Sequence, residues 1–211
     1  RSIEHIVALL ERPDTAAAVE FRTRFQQLTG PIMAKAVEDT LFYRVNPLVA
    51  LNEVGATPGA AVGDVMRFHG AMERFRAEPL GLAATATHDT KRGEDARARL
   101  YALTEAPGRW VDAVRRWRGS NAHLRTRDQE RDIPELEVEW MIAQMVCGAW
   151  PAELPRDAEV RKALAARLVP AVEKALREAK RRTDWLAQDE VYEAGGLSYV
   201  RNLFQPENSA L

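Results

Sequence analysis

The sequence predicts a mainly helical protein that carries one or two strands of a parallel sheet in its first half. Three observations support this. Apolar residues recur at three- and four-residue spacing through most of the 211 positions. One stretch, 80–95 (LGLAATATHDTKRGED), breaks that rhythm: Leu82, Ala83, Ala84, Thr85, Ala86 and Thr87 are small or apolar without a helical stripe, as in a short strand covered on both faces. The overall balance, 46% hydrophobic and 29% charged, suits a globular protein with an ample core.

Taken in order, Ile3, Ile6, Val7, Leu9 and Leu10 form a short apolar helical face that breaks at Pro13-Asp14. Residues 15–29 restart it with Val19, Phe21, Phe25 and Leu28 inward, and Gly30-Pro31 is expected to stop it. The segment 32–35 is either a strand edge delivering Lys35 or the first turn of a helix with Val37, Leu41 and Phe42. Residues 46–59 are irregular. A helix is expected over 62–77 on Val65, Phe68, Met72 and Phe75, then the strand.

Beyond it the chain reads as helical throughout. Helices are expected over 95–103 and over 109–118, the latter with Trp110, Val111, Val114 and Trp117 on one side. The charged stretch 119–133 reads as an exposed loop. A helix starting at Pro134 is apolar almost all round through Val146, hence buried on several sides. A long helix over 156–182 should kink or divide at Pro170, and a last one over 189–204 contains Gly195-Gly196.

Composition excludes several classes. A net charge of −1 argues against general affinity for nucleic acid or an anionic membrane. No apolar run is long enough to span a bilayer and no signal-peptide pattern opens the chain, so a cytoplasmic location is expected. The lone Cys147 lies in an apolar run and reads as an inert core residue. His5, His69 and His123 lack ligand spacing, so neither a metal site nor a cofactor is expected. Basic residues are lopsided, 25 Arg against 5 Lys. The chain opens directly on a helix without a methionine, which reads as a piece of a longer protein.

His88-Asp89 ends the expected strand, and side chains at that edge of a parallel barrel do chemistry. On the residues alone, Asp89 or Thr90 could instead cap the following helix. Lys35, Glu38, Asp39, Tyr43, Arg44 and Asn46 form a second cluster that offers sugar-matching donors, acceptors and an aromatic face. The alternative there is a solvated helix face with an i,i+4 pair between Lys35 and Asp39.

Two longer strings bear on the choice. TATHDTKRGEDARARL (85–100) closely resembles the seventh-strand motif of the maltooligosyl trehalose synthases, a branch of the α-amylase superfamily (glycoside hydrolase family 13). FQQLTGPIMAKAVEDTLFYRVNPLVALNEVG (25–55) resembles a second signature of that branch, and REAKRRTDWLAQDEVYEAGGLSYV (177–200) a third, more loosely. The resemblance implies a fragment of a (β/α)8-barrel enzyme: 1–92 as part of the catalytic barrel with flanking helices, and 93–211 as a helical subdomain inserted after the seventh strand.

It further implies an intramolecular transglycosylase acting on maltooligosaccharides, with Asp89 as transition-state stabiliser. Substrate binding would fall to His88, Lys35, Glu38, Asp39, Tyr43, Arg44, Asn46, Lys91 and Arg92. The motifs for nucleophile and general acid find no match here; they would lie earlier in the parent enzyme, so this chain alone is expected to be inactive. The competing expectations are an α-amylase-like glucan hydrolase fragment and a non-catalytic helical interaction module.

Overall fold

Helical spacing becomes helix nearly everywhere it occurs. A computed structural model describes residues 2–59, 63–78, 80–82, 84–151 and 157–208; Val62, Ala83 and Arg156, which belong to expected elements, lie outside them. The described helices are α1 (Ser2–Glu11), α2 (Ala16–Met33), α3 (Val65–Ala77), α4 (Glu94–Ala102), α5 (Pro107–Ser120), α6 (Leu136–Ala149), α7 (Ala158–Ala179) and α8 (Glu190–Leu203). Side-chain caps open four of them: Thr15 for α2, Asp64 for α3, Asp157 for α7 and Asp189 for α8.

Three expectations are corrected. The expected strand does not form in the described residues of 82–87: Leu82 and Ala84–Thr87 have no ladder partner, and Leu82 is fully exposed. A parallel strand needs neighbours to satisfy its N–H and C=O groups, and none of the described residues supplies one. The described strands are instead β1 (Thr126–Asp128) and β2 (Arg131–Ile133), an antiparallel hairpin with Asp128 opposite Arg131. Gly30-Pro31 does not stop α2, which runs through Pro31 and then loosens into a π turn over Ala34–Glu38. Residues 32–35 are therefore helical. Nor does Pro170 divide α7, which is continuous across it.

The stretch 119–133 is largely exposed, as expected, but it is not simply a loop. It carries the hairpin, and Asn121 and Ile133 are buried. Some of its charges are used inward. Glu139 of α6 is fully buried and paired with Arg118 and with Arg125 at 3.1 Å, while Asp132 lies 3.4 Å from Arg125. A buried carboxylate needs such partners, so Arg125 of this stretch is turned inward.

The core has two parts. One gathers Ile142 of α6, Leu164, Leu168 and Val172 of α7, and Tyr199, Val200 and Leu203 of α8 around Ile133. As expected, α6 is buried on several sides. The other joins Val49 and Ala50 to Leu100 of α4, Met141 of α6 and Ala175 of α7. Full burial of each such side chain contributes about 1.5–3 kcal/mol. The second cluster is the floor on which the site rests.

Gly195 lets the hairpin lie on α8. A Cβ there would stand 2.6 Å from Thr126 Oγ1 and 2.9 Å from Ile133 Cγ2, whereas one at Gly119 meets nothing within 4 Å. Gly195→Ala should destabilise the protein by about 1–3 kcal/mol. Gly119→Ala should be neutral or stabilising by up to about 1 kcal/mol. Urea unfolding midpoints of the two variants check this; equal midpoints would contradict it.

Candidate functional site

The site is presented by a turn closed with hydroxyls. Thr90 Oγ1 donates to the Thr87 carbonyl at 2.8 Å, and the Thr87 N–H donates to Thr90 Oγ1 at 3.3 Å. His88 and Asp89 sit exposed at its tip. Helix α4 begins later, capped by the Gly93 backbone without a side-chain bond. Neither Asp89 nor Thr90 therefore caps it. Among the described residues the Asp89 carboxylate accepts no hydrogen bond.

His88, Asp89, Thr90, Lys91 and Arg92 form one wall of a cavity of about 420 Å³. Phe42, Leu100, Met141 and Met145 give it an apolar floor, and Tyr43 and the buried Asn52 also line it. The opposite wall is α7, from which Arg167 and Lys174 face the same space at a two-turn spacing. Charged and polar groups thus border a cavity with an apolar base.

Behind the turn, two of the five lysines meet one carboxylate. Lys35 Nζ lies 2.5 Å from Asp39 Oδ2, and Lys91 Nζ lies 3.2 Å from Asp39 Oδ1. The Lys35 hydrogen bond holds the Asp39 carboxyl below the usual carboxylate range; burial opposes this and Lys91 reinforces it. Burial pushes the Lys91 ammonium down, but Asp39, with Asp89 adding, more than reverses it. Burial depresses the Arg92 guanidinium, which donates to the Val49 carbonyl at 2.9 Å.

Of the ten residues predicted for the site, Tyr43, His88, Asp89, Lys91 and Arg92 line the cavity. Asp39 stands behind Lys91. Lys35 extends from the π turn with its side chain 74% exposed, making the i,i+4 pair that its spacing allows. Glu38 accepts the Gly55 N–H at 3.3 Å. Arg44 and Asn46 are placed elsewhere. The Arg44 guanidinium donates to the Ala179 and Lys180 carbonyls at the end of α7, at 2.6 and 3.0 Å, and Asn46 hands its carbonyl to Gln144.

Sequence reasoning missed Glu53, whose carboxylate accepts the Lys91 N–H at 2.8 Å and the Arg92 N–H at 3.4 Å, with Arg97 at 3.3 Å. Burial pushes its carboxyl up, but these donors and the Val54 N–H outweigh burial and hold it below the usual range. Arg167 and Lys174 were missed because both lie on the polar side of an ordinary amphipathic helix. Their seven-residue spacing was the available signal. Cys147 is half-buried, with its thiol pushed up by burial. Among the described residues no group of three or more His, Cys, Asp or Glu is placed to hold a metal, and no helix is long and apolar enough to cross a membrane.

A carboxylate-bearing turn and a helix bordering one cavity define a candidate ligand-binding site, and the chain that carries it resembles known proteins. No family model matches the chain. A Mycobacterium tuberculosis protein named as a maltooligosyl trehalose synthase is 39% identical over 183 residues, 84% of this chain. The chain spans 22% of the length of that relative. Among solved structures, the maltooligosyltrehalose synthase of Arthrobacter ramosus matches 94% of this chain and 23% of its own, with TM-score 0.73 and 38% identity. A hypothetical maltooligosyl trehalose synthase of Sulfolobus tokodaii matches 91% of this chain and 25% of its own, with TM-score 0.71 and 29% identity. The chain is therefore related to the maltooligosyl trehalose synthases and corresponds to one segment of them.

The carboxyls behind the turn give the site an acid limit. Asp39 and Glu53 ionise at lower pH in the folded protein than in the unfolded chain. Their stabilisation is complete above the unfolded value of about 4 and is lost as pH falls through the lower folded values. Urea unfolding followed from about pH 6 to about pH 2 should show a smaller acid loss in an Asp39→Asn/Glu53→Gln double variant than in the unsubstituted protein. Superimposable acid limbs would contradict this.

Proposed function

We propose that the chain is part of an intramolecular transglycosylase that converts the reducing-end α-1,4 linkage of a maltooligosaccharide into an α,α-1,1 (trehalose) linkage. The observation that carries this is Asp89: an exposed carboxylate that caps no helix and lines a donor-rimmed cavity, in a chain related to maltooligosyl trehalose synthases. Residues 1–92 belong to a (β/α)8 barrel and 93–211 to a helical subdomain. The remainder of the parent enzyme covers what this segment leaves open: the unpaired 82–87 stretch and the apolar face of α3, where Phe68 and Phe75 are nearly 60% exposed.

The chemistry runs in two displacements with retention. A carboxylate elsewhere in the enzyme attacks the anomeric carbon, and the bond to O4 of the terminal glucose breaks as a carboxylic acid protonates that oxygen. The released glucose stays bound and turns. Its anomeric hydroxyl then attacks the glucosyl-enzyme, giving its proton to the same acid, now a base, and freeing the nucleophile. Asp89 hydrogen-bonds sugar hydroxyls and its negative charge favours the oxocarbenium-like transition states over the ground state. His88, Tyr43, Lys91 and Arg92 hold hydroxyls of the same sugar. Lys35, Glu38 and Asp39 serve the neighbouring glucan unit. The α7 wall helps to exclude water, which otherwise competes with the glucose acceptor.

Two measurements test the proposal. In the full-length enzyme, Asp89→Asn should lower kcat by ~10²-fold or more with little change in KM, because only charge matched to the transition state is lost. Near-normal turnover would overturn the assignment. The 211-residue chain alone, incubated with maltopentaose, should give no trehalose-ended product, since only one of three required carboxylates is matched in it. Detection of that product would overturn the division of catalytic groups.

A further inference from the structure

Asp89 touches neither Glu53 nor Arg97, yet these two side chains grip the backbone on both sides of it. After the turn, Glu53 Oε1 accepts the Lys91 N–H at 2.8 Å and Oε2 accepts the Arg92 N–H at 3.4 Å. Before the turn, the Arg97 guanidinium donates to the Thr85 carbonyl. The two grips are joined, because the same guanidinium lies 3.3 Å from Glu53 Oε2 and 3.2 Å from the Arg92 carbonyl. Both side chains are largely sheltered, 18% and 15% exposed. The stretch they hold has no ladder partners and little burial, so the turn tip is placed by its internal threonine bonds, by this clamp on its backbone, and by the Lys91 and Arg92 side chains anchored on Asp39 and Val49.

We infer that Glu53 and Arg97 are positioning residues that hold His88 and Asp89 at the cavity for the reaction proposed above, on which this inference rests. Glu53 is anchored independently of the turn, its own segment being tied to α6 through the Val49 N–H on Gln144. The pair therefore transmits the position of the helical half to a turn that lacks secondary structure. A carboxylate displaced by a fraction of its hydrogen-bond length still binds sugar but no longer meets the developing charge, so the effect falls on turnover.

The test is a double-variant cycle in the full-length enzyme with maltopentaose as substrate. Glu53→Gln should lower kcat about tenfold or more while KM stays within about twofold. In an Asp89→Asn background the same change should cost less than about twofold, because the residue acts only through Asp89. Equal losses in both backgrounds would mark a general structural role and overturn the inference, as would an unaltered kcat for Glu53→Gln. Should Glu53→Gln not fold, Arg97→Lys, which keeps charge but cannot reach both Glu53 and Thr85, runs the same cycle with the same expectations. Normal turnover in Asp89→Asn alone would overturn the proposed function itself, and the two failures are thereby told apart.

Discussion

The site depends on one buried amide. Gln144 of α6 is fully buried, accepts the Val49 N–H at 2.9 Å and donates to the Asn46 carbonyl at 2.9 Å. The segment from Phe42 to Glu53 has only two short 3-10 turns of its own, so its backbone groups must find partners elsewhere. Gln144 supplies both a donor and an acceptor from one rigid helix. Losing it would strand two buried backbone groups at about 1–3 kcal/mol each. The rest follows outward: Asn52 donates to the Phe42 and Val45 carbonyls at 2.8 and 2.5 Å, Tyr101 to Ala50, Arg92 to Val49. Each link ties another element to the same loop.

The excess of arginine over lysine has a structural use in this fold. Arg177 grips Glu193 with two nitrogens at 2.9 and 2.7 Å. Arg182 bridges Glu135 and Asp128, joining the hairpin to the start of α6. Arg44 closes the end of α7. A planar guanidinium with several fixed donors can serve two acceptors at once, which an ammonium does less well. The arginines thus join helices, while Lys35 and Lys91 place point charges beside a single carboxylate.

The two halves differ in how fully they satisfy their own patterns. From α4 onward most apolar faces meet one another, with Leu136 and Val191 left outside, and the buried carboxylates Glu139 and Glu193 are paired. In α1 to α3 the spacing makes helices, but much of the apolar face stays open, as at Ile3, Leu28 and Val65. Amphipathic spacing stabilises a helix only when something covers the stripe. The same shortage leaves the described residues of 82–87 without strand geometry, since a strand, unlike a helix, cannot satisfy its backbone alone.

Helices α5 to α8 were legible in the residues because their information is local: the apolar stripe spacing of each and the largely apolar composition of α6. The turn residues His88 and Asp89, with Lys91 and Arg92, were legible as a group because they are adjacent in sequence and share a motif. Tertiary structure alone decided which other side chains join them. Glu53 belongs to the earlier 25–55 string and Arg97 to the turn's own 85–100 string, yet nothing along the chain joins the two, and Arg167 and Lys174 come from a helix that looks ordinary along the chain. It also decided that 119–133, though largely exposed, forms a hairpin and turns Arg125 inward onto buried Glu139. Hydrogen bonds and ion pairs between distant residues are short-ranged in space and leave no period in sequence, so only the packed fold could assign them.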